Sequence, residues 1–190
     1  MVVGIQPGKI SGSVTANASK SAMQRACAAA MLKNGNTIIV NPGNSNDDLA
    51  ALQIIQAMGA TVSHAASEGE IIINGNGIPF SNTAATALAN KEVTITGEGS
   101  LEVRPMKKKK EVLPLLGVTV ITNDGKVPMK ICGPLVPKNI TVDGSLSSQF
   151  LTGLLMAYAA ADATDVTITV IDLKSKPYID LTLEVLAHFG

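Results

Sequence analysis

Three helix endings divide this sequence into units of the same design. Apolar residues at helical spacing lead to Gln-Ala-Met-Gly at 56–59, Leu-Pro-Leu-Leu-Gly at 113–117 and Ala-His-Phe-Gly at 187–190. Before each ending, the sequence predicts a first helix, a strand and a second helix in the same order. Self-similarity of this kind is the signature of a repeated supersecondary unit. We therefore expect three related units within one compact domain.

The first unit shows the pattern most fully. Apolar residues at helical spacing follow Ser19, and Asn34-Gly35 provides a stop. Ser45 is a suitable N-cap for the second helix, and the acidic residues after it favour the positive end of the helix dipole. The predicted elements are a helix over 19–33, a strand over 37–41, a helix over 45–58, and a hairpin with strands at 61–64 and 70–74.

The second and third units repeat this order with parts missing. The opening helix of the second unit has about two turns where its counterparts have about four, and the third unit lacks a hairpin. We expect a segment to be absent from the middle unit and the third unit to be incomplete. The predicted elements are helices over 82–90, 105–116, 145–161 and 176–189, and strands over 92–96, 118–122, 127–132 and 166–171.

Composition agrees with a layered α/β fold. Hydrophobic residues make up 46% of the chain and aromatic residues only 3%, so Ala, Val, Ile and Leu must form most of the core. A chain of 190 residues is long enough for one domain with a substantial core. We expect a single domain over 1–190.

Several classes of function are disfavoured. Fifteen basic and fifteen acidic residues cancel, which argues against nucleic acid or an anionic membrane as a partner. Two cysteines and two histidines without a CxxC pair indicate neither a zinc site nor a disulfide scaffold. The sequence has no long apolar run, no leader pattern, and no Walker A or dinucleotide motif. A soluble cytoplasmic protein without a nucleotide cofactor is the expectation.

Two predicted helix starts could bind an anion. Ser19-Lys20-Ser21 and Arg25 place cations and hydroxyls in the first two turns of a helix, where free N–H groups already favour negative charge. Ser147, Ser148 and Gln149 offer hydroxyls and an amide at the corresponding start in the third unit. Ordinary capping and surface charge also explain each segment. In a repeat fold the two helix starts can converge on one point, and this favours a binding site over capping and surface charge alone.

Three further residues are weaker candidates. Arg104 follows a Gly-rich turn and could bind an anion with its planar fork, although an isolated Arg is more often structural. Ser175 can act as an N-cap ahead of Pro177, and both Ser175 and Tyr178 could also face a ligand. The lysine run over 107–110 indicates a solvated helix face more readily than an anion site.

Taken in order, four motifs resemble the 5-enolpyruvylshikimate-3-phosphate synthase family. They are 18–21 with Arg25, 97–100 with Arg104, 144–150 and 175–183. GSLSSQF and SKPYIDLTLEVL are the most specific, while Ala18 stands where the family usually has Gly. The resemblance implies an enolpyruvyl transferase domain, α/β (or α+β) and built of three βαβαββ repeats. Such a domain is one of two that enclose a cleft.

The resemblance also implies roles for individual residues. The family transfers an enolpyruvyl group from phosphoenolpyruvate to shikimate 3-phosphate in aromatic amino-acid biosynthesis, without a metal or organic cofactor. It implies that shikimate 3-phosphate is held by Ser21, Arg25, Ser147, Ser148, Gln149, Ser175 and Tyr178. Lys20, Arg104 and again Gln149 would face phosphoenolpyruvate.

Three departures from the family lead us to expect no turnover by this chain alone. Residues 82–90 lack the family's Gly-rich, Arg-containing segment, and we expect the partner domain and the last hairpin to be missing. At most, the chain would bind shikimate 3-phosphate. The alternative is a truncated or engineered domain without ligand function. A sibling enzyme acting on UDP-N-acetylglucosamine carries a reactive loop cysteine, and Cys27 and Cys132 fit that role poorly.

Overall fold

The computed structural model describes residues 4, 7–9, 11–77, 92–97, 102–103, 106–145 and 148–190. The predicted helix over 82–90, Arg104 and Ser147 lie outside these residues. Within them, the helices are α1 (Lys20–Leu32), α2 (Asn46–Ala57), α3 (Lys107–Val112), α4 (Ser148–Ala160) and α5 (Lys176–Phe189). The strands are β1 (Asn34–Val40), β2 (Thr61–His64), β3 (Glu70–Asn76), β4 (Val93–Ile95), β5 (Thr119–Asn123), β6 (Lys126–Cys132), β7 (Ile140–Asp143) and β8 (Ile168–Ile171).

Local capping fixes where the first two helices begin. The Ser19 hydroxyl accepts a hydrogen bond from the Ala22 N–H at the start of α1. Ser45 and Asp48 form a reciprocal capping box at the start of α2, where each side chain accepts from the other residue's backbone. Such caps satisfy N–H groups that have no partner within the helix. Both helix starts were predicted from the sequence and are confirmed.

Several predicted elements begin or end one to three residues from their observed bounds, and two larger differences from the sequence prediction remain. The helix expected over 105–116 is α-helical only at Lys107–Val112 and continues as a 3-10 turn at Leu113–Leu116. Pro114 cannot donate the N–H that an α-helix needs at that position, and Gly117 ends the turn with φ 84°. Strand β7 was not predicted, because its four residues form a parallel pair with the distant β8.

The strands form three small sheets. The first has the order β1-β3-β2 and the second the order β4-β6-β5, with every pair antiparallel. In both sheets the second strand of the hairpin lies in the centre. The third sheet is the parallel pair β7-β8. The first two sheets therefore share one topology, while the complete threefold repeat stays a prediction.

Helix α5 joins the two halves of the core. The first hydrophobic cluster packs α1 and α2 on the first sheet and includes Met31, Ile55 and Ile73. The second cluster gathers the remaining elements around Leu113 and Leu154. Helix α5 packs against both α1 and α4, with Ile179 in the second cluster and Phe189 against the first. Within the described residues, every helix is too short or too polar to span a lipid bilayer.

We predict that Leu154→Ala destabilises the chain by about 2–5 kcal/mol, because the substitution leaves a cavity in the second cluster. The Leu154 side chain is fully buried. Leu183→Ala is the matched control, since Leu183 is 49% exposed on α5. Urea unfolding measures both free energies. Equal losses in the two variants would contradict this view of the core.

Candidate anion-binding site

Arg25 is the residue around which three helices meet. It lies on α1 and is only 7% exposed. Its Nε donates to the Thr182 hydroxyl on α5 (2.8 Å), and its Nη2 donates to the Thr152 hydroxyl on α4 (3.0 Å). Nη2 also donates to the Tyr178 carbonyl (3.2 Å), and Nη1 donates to the Ser21 carbonyl (2.8 Å). One guanidinium thus fixes the relative positions of α1, α4 and α5.

The charge of this guanidinium has no negative partner in the described part of the chain. All four hydrogen bonds run to hydroxyl or carbonyl oxygens, and no ion pair to Arg25 is formed there. Burial lowers the pKa of Arg25. Arg nevertheless keeps its proton in proteins, so the positive charge stays in place. A buried, uncompensated cation favours the approach of an anion.

Tyr178 lies beside this cation at the surface. Its ring centroid is 5.9 Å from Arg25 Cζ, within the range of a cation–π contact. The residue is 48% exposed, so much of the ring is open to solvent. Its backbone carbonyl is already bound to Arg25 and Thr182. The ring therefore offers an apolar face next to a positive charge, which suits a ring-shaped anionic ligand.

Lys20 supplies a second cation on α1. Its Nζ lies 2.7 Å from Asp47 Oδ2 at the start of α2, and both side chains are about half exposed. The hydrogen bond and the charge of Asp47 raise the pKa of Lys20. An exposed pair of this kind is held weakly, so a ligand can compete for the ammonium group. Tyr178 also acts electrostatically on Lys20, which places the two residues in the same region.

The predicted hydroxyl groups lie at the starts of α4 and α5. Ser148 and Gln149 are the first two residues of α4, half-buried and exposed respectively. Ser175 occupies the N-cap position of α5, but the capping bond predicted for its side chain is not formed. Ser21 is half-buried and contributes its carbonyl to Arg25. The structure thus links Ser21, Arg25 and Tyr178 through direct contacts, while Lys20 contacts Asp47.

Gly144, the first residue of the GSLSSQF motif, lies too close to β8 and the residues after it to carry a side chain. The Gly144 N–H donates to the Ile171 carbonyl of β8 (2.8 Å). A Cβ atom at Gly144 would lie 2.7 Å from Val170 Cγ1 and 3.1 Å from Leu173 Cα. Such distances are too short for a side chain at a packed position. Glycine therefore lets the chain pass β8 as it enters α4.

Sequence reasoning missed three residues that hold the two cations. Thr152 and Thr182 accept hydrogen bonds from Arg25, and Asp47 accepts one from Lys20. The signal for the threonines was a buried polar residue in an otherwise apolar stretch of helix. Asp47 was interpreted only through the helix dipole. Each partner is at least 27 residues away in sequence, so local patterns could not reveal the contacts.

A separate groove of about 280 Å³ lies between the 3-10 turn, β7, β8 and α4. Leu115, Val142, Phe150 and Ile171 provide most of its apolar wall, with Glu111 and Asp143 also lining it. Of the residues predicted to bind ligand, those that the structure describes do not line this groove. The volume alone does not make it a site, and we place the candidate site around Arg25.

A family model supplies the decisive comparison. The model for EPSP synthase (3-phosphoshikimate 1-carboxyvinyltransferase) matches residues 5–190. The chain belongs to the EPSP synthase family. This confirms the resemblance inferred from the motifs, and the mixed helix-and-sheet fold agrees with it.

Curated relatives support the same assignment. The chain is 34% identical to the 3-phosphoshikimate 1-carboxyvinyltransferase of Vibrio campbellii, 33% to that of Escherichia coli and 35% to that of Aliivibrio salmonicida. Each match takes in 98% of this chain, which spans about half the length of these relatives. The alignments run over 207 to 212 residues, more than the 190 of this chain. The relatives therefore contain residues within the matched stretch that this chain lacks.

Solved structures agree at the level of the fold. An EPSP synthase from Acinetobacter baumannii superposes with a TM-score of 0.65 and 25% identity, covering 77% of this chain and 37% of that one. The enolpyruvyl transferase NikO from Streptomyces tendae gives a TM-score of 0.64 at 19% identity, covering 93% of this chain and 44% of that one. The second likeness concerns the fold alone.

We predict that Cys27 resists alkylation in the folded chain. Burial, together with the charge of Asp48, raises the pKa of its thiol to about 12. At pH 8 the thiolate fraction would be about 10⁻⁴, and the thiolate is the reactive form. Iodoacetamide labelling followed by peptide mass spectrometry should modify the half-buried Cys132 first and Cys27 only after unfolding in urea. Equal labelling of both cysteines in the native chain would contradict this assignment.

Proposed function

We propose that this chain binds shikimate 3-phosphate at the surface formed by α1, α4 and α5. The observation that carries the proposal is the buried positive charge of Arg25, which has only neutral partners in the described part of the chain. The relatives named above are 3-phosphoshikimate 1-carboxyvinyltransferases. Shikimate 3-phosphate carries a carboxylate, a phosphate and ring hydroxyls, so its groups match the chemistry of the site.

The roles we propose follow the geometry of each residue. Arg25 provides the buried charge for an anionic group of the ligand, and the ring of Tyr178 lies against the carbocycle. The hydroxyls of Ser21, Ser175 and Ser148 suit the polar substituents, and we assign Ser147 to the same set from its motif. Hydrogen bonds from hydroxyls fix the orientation of a polyol, while the guanidinium provides the electrostatic attraction.

The second substrate, phosphoenolpyruvate, belongs to the same proposal. Lys20 would meet its negative charge, together with Gln149 and Arg104 as the motifs imply. Because Lys20 bonds to Asp47, binding requires the ammonium group to exchange or share this partner.

Transfer of the enolpyruvyl group needs a base at the shikimate hydroxyl, an acid at the vinyl carbon and cations around the intermediate. We propose that this chain supplies part of the cation set, and that turnover requires groups beyond those in the matched half of the relatives.

We predict saturable binding of shikimate 3-phosphate by the purified chain in isothermal titration calorimetry. Arg25→Lys keeps the charge but loses the planar fork, so the affinity should fall about tenfold, or 1.4 kcal/mol. Circular dichroism and urea unfolding establish that the variant is folded.

Lys130→Met is the control for a general charge effect, because it removes one positive charge outside the proposed site. Lys130 is half exposed and lies 2.7 Å from Glu92, as Lys20 lies from Asp47, but it is on β6. This control should bind like the parent chain. No saturable heat with the parent chain would contradict the proposed function and favour a domain without ligand function. A tenfold loss in Lys130→Met, which changes the net charge where Arg25→Lys does not, would indicate nonspecific attraction.

A further inference from the structure

Two buried threonines meet at the guanidinium of Arg25. Thr182 on α5 is fully buried, and Thr152 on α4 is 6% exposed. Their hydroxyl oxygens lie 3.0 Å apart, and each accepts a hydrogen bond from Arg25. Buried hydroxyls on packed helices require partners, because an unsatisfied polar group is costly in the interior. Both threonines find those partners in this cluster.

The direction of each hydroxyl follows from counting protons. Thr182 has one O–H, and that group donates to the Tyr178 carbonyl at 2.8 Å. The bond between the two threonines must then be donated by Thr152 to Thr182. Both oxygens consequently turn lone pairs towards the guanidinium, while both protons point away from it. The result is an oriented chain of dipoles in which each bond strengthens the next.

We propose that Thr152 and Thr182 are positioning residues that hold the Arg25 guanidinium in one orientation for an anionic ligand. The ligand part of this inference rests on the proposed function. Nε and Nη2 are occupied by the threonines and by the Tyr178 carbonyl. Nη1 donates one N–H to the Ser21 carbonyl, which leaves its second N–H without a partner among the described residues. That remaining N–H is the donor we assign to the anion.

The choice of hydroxyls over a carboxylate has a functional consequence. A carboxylate in place of either threonine would form an ion pair with Arg25 and cancel its charge. Hydroxyl oxygens orient the guanidinium through dipoles and leave its net charge intact. The threonine pair thus fixes the geometry of the cation and preserves its attraction for anions, two requirements of preorganised recognition.

Arginine side-chain NMR can test this positioning without a ligand. Arg25 and Arg104 are the only arginines in the sequence, so a chain labelled with ¹⁵N-arginine has two Nε–H groups. Arg104→Lys identifies the Arg25 signal. The bond to Thr182 should protect the Arg25 Nε–H from exchange with water.

Thr182→Val removes the hydroxyl at nearly constant shape, and the Arg25 Nε–H should then exchange about tenfold faster or more. Thr182→Ser should restore the slow rate, since it returns the oxygen. Thr37→Val is the matched control, because the Thr37 hydroxyl is buried on β1 and has no hydrogen-bond partner among the residues that the structure describes. If Thr182→Val fails to fold, Thr152→Val gives an equivalent test. The Thr152 hydroxyl accepts from Arg25 Nη2, so its removal should speed rotation about the Arg25 Cζ–Nη2 bond, which the same NMR measurements detect.

The same variants separate this inference from the proposed function. If the parent chain binds shikimate 3-phosphate, Thr182→Val should weaken binding about tenfold and Thr182→Ser should recover it. If the parent chain does not bind the ligand, the proposed function fails, and the exchange rates still decide whether the threonines orient Arg25. An unchanged Arg25 Nε–H rate in Thr182→Val, or a rate that Thr182→Ser does not restore, would overturn the inference.

Discussion

The burial of one positive charge is the constraint on which the helix arrangement depends. Arg25 is desolvated, and the four hydrogen bonds that it makes to neutral oxygens of the described residues replace water without cancelling the charge. Helices α1, α4 and α5 must keep their relative positions for these bonds to form. The same contacts that satisfy the guanidinium also leave it attractive to an anion. The packing of the three helices and the proposed ligand recognition therefore depend on the same side chain.

Local sequence signals predicted the elements well where the relevant chemistry is local. Ser19 and Ser45 mark helix starts through caps that they form with residues three positions away, and α5 spans the predicted residues 176–189. The 3-10 turn at Leu113–Leu116 was missed, although Pro114 is a local reason for it. Strand β7 was missed for a different reason. Its only support in the described residues is the distant β8, and pairing over such a separation leaves little trace in four residues.

In the candidate site, too, features with a local sequence signal were predicted and features that depend on distant residues were not. Lys20, Arg25 and Tyr178 were selected from motifs, and the structure brings them into one region. Their partners were not predictable, since Asp47, Thr152 and Thr182 act across helices that meet only in the folded chain. A motif identifies the group that carries a charge. It does not identify the groups that orient the charge, and here those groups are two threonines with ordinary helical neighbours.

The chain belongs to the EPSP synthase family but spans only about half the length of its curated relatives. The proposed binding surface on α1, α4 and α5 is positioned by contacts among the described residues. We propose that this surface is selective for its anion because Arg25 is preoriented. Groups outside the matched half of the relatives would then add affinity and catalytic chemistry to the proposed site around Arg25.

The most direct test is a crystal structure of the chain with shikimate 3-phosphate. We predict a carboxylate or phosphate oxygen of the ligand about 3 Å from Arg25 Nη1, with the carbocycle against the ring of Tyr178. Arg25 should keep its bonds to both threonines in that complex. A ligand bound elsewhere, or an Arg25 side chain that leaves the threonines to reach the ligand, would contradict the proposed binding mode.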